Sequence, residues 1–192
     1  PAPGSYPPRD DCSKQAGWND FRARLADAVA RRDADLLVSL TDPEVQLDFG
    51  GGSGTQELRK RLDAPNYRLW DELVKILPLG CAYADGSAAM PWLFLNAPAN
   101  ADPYEAMWVT GSGVPLREEA SPAARQVGKL DWAVVSVGPY NEPNPKFLKV
   151  TDPQSKASGY VDATSLRSLI DYRLIAEGKD GKWRITALIA GD

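Results

Sequence analysis

Apolar residues recur every three to four positions from Trp18 to Leu40, at Phe21, Leu25, Ala28, Val29, Leu36, Leu37 and Leu40, with charged residues between them. That stripe predicts an amphipathic helix whose leucines face a core, with a break near Arg32-Asp33. Thr41-Asp42-Pro43 reads as the turn that ends it, and Val45, Leu47 and Phe49 then alternate with Gln46 and Asp48 as a half-buried strand. The glycines from Gly50 to Gly54 lead into a second helix, with Ser53 or Thr55 as N-cap and Gln56 or Glu57 in the first turn. A third helix is predicted over Tyr67 to Leu77, with Leu69, Trp70, Leu73, Ile76 and Leu77 inward and Pro78 and Gly80 as its stop.

Beyond Cys81 the pattern changes. Ala88 to Asn96 is a short apolar run, predicted as a buried strand interrupted by Pro91. The Ala, Pro, Asn and Asp content of residues 96–103 marks a boundary between an α-rich part and a β-rich part. Near the end, Tyr172, Leu174 and Ala176 alternate on one arm and Trp183, Ile185 and Ala187 on the other. Asp180-Gly181 between them supplies the positive φ angles of a tight primed turn, so a β-hairpin is predicted over Asp171 to Ile189.

The middle of the chain carries a family resemblance. VTGSGVPLREEASPAARQVGKLDWAVVSV (Val109 to Val137), FLKV (Phe147 to Val150) and GYVDATSLRS (Gly159 to Ser168) resemble a bacterial SH3 (SH3b) domain. The match covers about residues 108–168. Short β-rich runs punctuated by Gly, Pro and Ser agree with it, since a small barrel of short strands needs frequent turns. The resemblance implies a binding or targeting module of an envelope or secreted protein. The helix with ARRDADLL (Ala30 to Leu37) followed by DPEVQLDF (Asp42 to Phe49) faintly resembles the first segment of NTF2-like cone folds. The expectation is an α+β chain with a Pro-rich tether at 1–17, an α-rich domain with a small sheet at 18–104, an SH3b-like barrel at 105–168 and a C-terminal hairpin at 169–192. SH3b domains finish near Leu166 to Ser168, so the hairpin is extra, and its apolar arms are expected to complete the N-terminal domain.

Composition narrows the function. With 192 residues and 43% hydrophobic positions, the chain can bury a real core. Its net charge of −4 and scattered basic residues give no footprint for nucleic acid, which requires concentrated Lys and Arg. No apolar run approaches the roughly 20 residues that span a bilayer. The opening PAPGSYPPRDD lacks the charged and apolar regions of an export signal and resembles the tether that follows a removed one, so a periplasmic or secreted protein is expected. The two cysteines, Cys12 and Cys81, belong to no metal or redox motif. Buried free thiols are one reading. The export-like start and the SH3b resemblance favour a disulfide.

The chain contains no histidine, which removes Ser-His and Cys-His dyads and His-ligated zinc. Neither a metal site nor a cofactor is expected. Asp48 to Leu58 runs strand, Gly-rich turn, helix, the order of a phosphate loop, but the lysine of G-K-[S/T] is replaced by Thr55-Gln56, so a flexible turn is the better reading. Carboxylates leave an enzymatic alternative: Asp42, Glu44 and Asp48 share one side of the predicted strand, and a glycosidase needs two such groups flanking a cleft. The Pro-rich segments at 1–8 and 139–145 offer an internal or homotypic partner for any peptide groove.

The function favoured from these patterns is non-catalytic recognition of a peptidoglycan stem peptide or an envelope protein. By analogy with peptide-gripping SH3 grooves, Trp132, Tyr140 and Tyr160 are the candidate aromatic contacts and Glu118 and Glu119 the acidic ones. Each has a bland alternative: Trp132 and Tyr160 as core, Tyr140 as a loop anchor and the glutamates as solvated loop charges. A purely structural module is the third reading.

Overall fold

The computed structural model describes residues 4–140 and 143–191. The Pro-rich stretches at 1–8 and 139–145 therefore lie partly outside the described residues. The chain is α+β and divides into two compact units, Pro1–Pro7 with Ala97–Leu169 and Pro8–Asn96 with Ile170–Asp192.

The second of these begins with α1 (Trp18–Arg31), which buries Trp18, Phe21, Leu25, Ala28 and Val29, the face its spacing dictates. Arg32, at φ 51°, ends it in the left-handed region, and the Asp33 carboxylate accepts from the N–H of Leu36 at 2.9 Å to cap α2 (Ala34–Ser39). Strand β1 (Thr41–Gln46) starts where a turn was expected. Thr41 is buried, its hydroxyl donates to the carbonyl of Leu37 at 2.8 Å, and the N–H of Ile185 donates to the carbonyl of Leu40. A long-range partner thus overrides the local turn residues, and Pro43 is tolerated because β1 is an edge strand. Phe49 is exposed and lies beyond the strand.

Helix α3 (Thr55–Asp63) is preceded by Gly54 at φ 87° with no side-chain cap, so neither Ser53 nor Thr55 performs that role. Helix α4 (Leu69–Ile76) buries Leu69, Trp70, Leu73 and Ile76 and runs into a short 3-10 turn over Leu77–Leu79. Strands β2 (Ala82–Ala84) and β3 (Ser87–Met90) follow, then α5 (Leu93–Asn96). The single strand predicted over Ala88 to Asn96 is therefore half strand and half helix. Pro91 has no N–H to continue the ladder, and Phe94 closes a turn onto its carbonyl at 3.1 Å.

The chain then enters the other unit, a seven-stranded antiparallel sheet. Its strands are β4 (Ala106–Val109), β5 (Val114–Arg117), β6 (Gln126–Leu130), β7 (Val134–Val137), β8 (Phe147–Thr151), β9 (Ser158–Asp162) and β10 (Leu166–Ser168). They lie in the order β10-β4-β7-β8-β9-β5-β6. The inward residues form one cluster that includes Val109, Val114, Leu116, Leu130, Val135, Leu148, Val150 and Val161. Gly159 is required where β9 crosses β5: a Cβ there would sit 2.6 Å from the Arg117 carbonyl oxygen.

Strands β11 (Arg173–Lys179) and β12 (Lys182–Ile189) return to the first-described unit and pair antiparallel across Asp180-Gly181. They occupy the middle of a five-stranded sheet ordered β1-β12-β11-β3-β2, in which β12 runs parallel to β1. Opposite Ile175 and Ala176 the register slips, leaving Thr186 as the extra residue. The slip changes which side chains face the helices: Trp183, Ile185 and Leu188 join the core of α1 to α4, whereas Ala187 and Ile189 are buried outside that cluster.

Residues 4–17, expected as part of a tether, are pinned. Tyr6 donates its N–H to the Trp132 carbonyl, Asp10 bridges Cys81 in parallel, and Cys12 and Cys81 form a disulfide with Cα atoms 5.8 Å apart.

Candidate functional site

The glycine loop after β1 is organised around Asp48. Its Oδ1 accepts from the N–H groups of Gly50 and Gly52, both at 2.8 Å, and its Oδ2 accepts from Arg61 of α3. Arg61 is buried; its Nη1 donates to the Leu47 carbonyl and its Nε to Glu57, each at 2.8 Å, and its guanidinium lies over the Tyr67 ring at 4.9 Å. A Cβ on Gly52 would fall 2.2 Å from both Arg61 Nη2 and Asp48 Oδ2, so any side chain there displaces the ion pair. The N–H groups that a phosphate would use are given to the protein's own carboxylate. The Arg61 hydrogen bond, followed by the Gly52 N–H, holds the Asp48 carboxyl below the usual carboxylate range. A carboxylate so committed is a poor general acid or base; Glu44 stands exposed on β1, and Asp42 lines a separate open cleft of about 760 Å³ with Asp85, Glu177 and Asp180. The Asp48 arrangement is a structural knot.

The five residues expected to form a groove are spread along the sheet. Trp132 precedes β7 and packs on Trp108 at 5.4 Å; Tyr140 lies past the other end of the same strand and is half exposed. Glu118 and Glu119 follow β5, at the end of the β5–β6 pair remote from Trp132, because Val114 pairs with Leu130 and Arg117 with Gln126. The three steps along β5 from Val114 to Arg117 put these ends about 10 Å apart. Glu118 is held by Arg125 in a two-pronged ion pair at 3.0 and 3.1 Å, which keeps its carboxyl below the usual range and closes the loop on itself. Tyr160 sits opposite Arg117 and Lys149 on β9 and is half-buried. Glu118, Glu119 and Tyr160 thus gather at one end, with Trp132 at the other.

A cleft of about 280 Å³ lies elsewhere in this unit, between residues 4–6, the turn before β4, the start of β7 and the turn after β8. Tyr6 and Pro98 give it apolar surface, Val134 and Ser136 line it from β7, and Asp102 and Glu105 bring carboxylates. The turn that presents them is fixed: the Asp102 carbonyl accepts from Glu105 at 3.2 Å and Ala106 at 2.8 Å, and its Oδ1 from the N–H of Tyr104 at 2.9 Å. No arginine or lysine among the described residues pairs with either carboxylate. These residues escaped the sequence reading because Asp102 falls in what looks like a linker and Tyr6 lies almost 100 residues away in the chain. Only the Pro/Asn/Asp composition of residues 96–103 marked the region at all.

Among the described residues no cluster of three or more His, Cys, Asp or Glu has the arrangement of a metal site, and no helix is long and apolar enough to cross a membrane.

No protein-family model and no curated protein matches the chain. Two solved structures are similar along 91% of it. One is a variant of the NTF2 design Rd1NTF2_05, 11% identical, with 96% of that chain covered and a TM-score of 0.30. The other is a protein of unknown function with a cystatin-like fold from Nostoc punctiforme, 11% identical, with 86% of that chain covered and a TM-score of 0.28. At these TM-scores neither carries a fold or a function over to this chain.

Proposed function

We propose that the protein is an exported, non-catalytic binding protein whose SH3b-like unit recognises a cell-envelope ligand, a peptidoglycan stem peptide or an envelope protein, through an amine. The observation that carries this reading is the cleft with Asp102 and Glu105, two carboxylates without a cation of their own beside the aromatic ring of Tyr6. An ammonium group satisfies both requirements at once, as a counter-ion for the acids and as a cation for the ring face. The Cys12–Cys81 disulfide supports an oxidising compartment. The absence of histidine and the commitment of Asp48 to Arg61 favour recognition over chemistry.

Titration of the full chain with muropeptides bearing a free side-chain amine, followed by amide shifts, tests this. Shifts should centre on Asp102, Glu105, Val134 and Ser136. Acetylation of the amine should abolish them, and Glu105→Gln should weaken binding by about threefold or more at low salt. No localised shift at millimolar ligand, or shifts confined to the Asp48 loop, would remove the reading.

A further inference from the structure

Every charged side chain that lines the 280 Å³ cleft is acidic, and both acids come from one side of it, the turn before β4. The floor is Ala106 and Val134, buried residues of β4 and β7 that lie outside the inward cluster of this unit. The remaining sides bring Tyr6, Ser136 and the carboxamides of Asn100 and Gln154, which carry no charge. Glu105 is fixed by its main chain at both ends: its N–H donates to the Asp102 carbonyl at 3.2 Å, and its carbonyl accepts from the N–H of Val137 at 2.8 Å. Asp102 commits Oδ1 to the N–H of Tyr104 at 2.9 Å, which fixes the direction of its carboxylate.

This one-signed lining attracts a cation and leaves an anion without a counter-charge. The carboxamides and the Ser136 hydroxyl can hydrogen-bond to the amide groups of a peptide, but they supply no net charge to offset a carboxylate brought beside Asp102 and Glu105. Primary amines differ in what else their carbon carries. At the end of a lysine side chain the carbon is a methylene. At the far end of a diaminopimelate residue the same carbon holds a carboxylate, so the ammonium cannot enter without it. With about 280 Å³ the cleft stands near the small end of ligand sites, which begin at roughly 300 Å³, and a carboxylate inside it has little room to turn away from the acids.

We infer that the cleft is selective within the amine class: it takes an ammonium whose carbon bears no carboxylate, as in a lysine-type stem peptide, and rejects the zwitterionic end of a diaminopimelate-type one. Asp102 and Glu105 determine this specificity, by repelling the wrong ligand as well as by attracting the right one. The inference rests on the amine reading above and adds to it the group that must be absent.

The test uses the full chain and three probes: Nα-acetyl-lysine methylamide, the matching diaminopimelate compound with a free amine and carboxylate at its far end, and that compound with the carboxylate converted to a carboxamide. Titrations are followed by amide shifts at Asp102, Glu105, Val134 and Ser136. At low salt the lysine and carboxamide probes should bind within about threefold of each other, and the carboxylate probe about tenfold more weakly or worse. Glu105→Gln removes one of the two repelling charges and should shrink the carboxamide-to-carboxylate ratio by about threefold. Asp102→Asn should do the same while keeping an oxygen for the Tyr104 N–H; circular dichroism establishes that both variants are folded. Equal binding of the carboxylate and carboxamide probes, or a ratio unchanged in both variants, overturns the selectivity and leaves the amine reading standing. Exclusion of both diaminopimelate probes while the lysine probe binds makes the discrimination steric and overturns the role of the two acids. Binding of none of the probes, or equal binding of Nα-acetyl-norleucine methylamide, removes the amine reading and the selectivity with it.

Discussion

The indole of Trp183 meets that of Trp18 edge-on, with ring centroids 5.0 Å apart, so the last strand of the chain is packed against its first helix. Phe21 and Tyr83 complete the cluster at 6.5 and 6.2 Å, and Nε1 of Trp183 donates to the Ala16 carbonyl at 2.9 Å. Trp183→Ala should lower unfolding free energy by about 3–5 kcal/mol, the usual cost of removing a buried indole. Trp183→Phe, which mainly loses volume and the Ala16 bond, should cost less. Urea unfolding followed by circular dichroism measures both, and equal effects would show that the ring volume is unimportant.

Gly17 caps α1 at φ 75°, and a Cβ there would lie 1.9 Å from the Gly181 carbonyl oxygen. Gly17→Ala combines a strained backbone with a collision against main chain that has no rotamer to escape through. It should destabilise by more than about 1 kcal/mol. Gly51→Ala provides the control: its φ is 96°, but nothing lies within 4 Å. A melting temperature equally depressed in the two variants would assign the effect to φ alone.

Asp48 makes stability depend on pH in a defined direction. Its folded carboxyl is held below its unfolded value, first by Arg61 and then by the Gly52 N–H. The contribution is therefore complete above the unfolded value, about pH 4, and is lost as pH falls through the folded one. Melting temperature should drop on the acid side of pH 4. Asp48→Asn should flatten that limb and lower stability near pH 7. An acid limb of the same steepness in the variant would show that other carboxylates govern it.

The Cys12–Cys81 bond spans a separation of 69 residues. In the chain-entropy model, a loop of that length is worth about 4 kcal/mol. Denaturant unfolding with and without reductant should differ by that order, and non-reducing mass spectrometry should recover the two peptides joined. Alkylation of both thiols in protein isolated from its native compartment would exclude the bond there.

The sequence by itself determined what depends on neighbours three or four positions apart. Phe21, Leu25, Ala28 and Val29 line up only as a helix, Arg32-Asp33 breaks it, and Leu69, Trp70, Leu73 and Ile76 make a second buried stripe, because helix faces repeat within the reach of local contacts. Asp180-Gly181 between two alternating runs likewise specifies a tight reversal. Tertiary structure decided whatever depends on a partner distant in the chain. Thr41 to Pro43 became strand because β12, some 140 residues later, supplies a parallel ladder, and Thr186 bulges so that Leu188 instead of Ala187 reaches the helices. Asp48 read as one of several acids on the wet face of a strand, and its commitment to Arg61, 13 residues on, appears only in the folded chain. The acidic cleft was invisible because Tyr6 and Glu105 come to line it only through the backbone pairing of Ser5 and Tyr6 with Ala133 and Trp132 just before β7, and pairing between segments is set by register and burial, which no window along the chain contains.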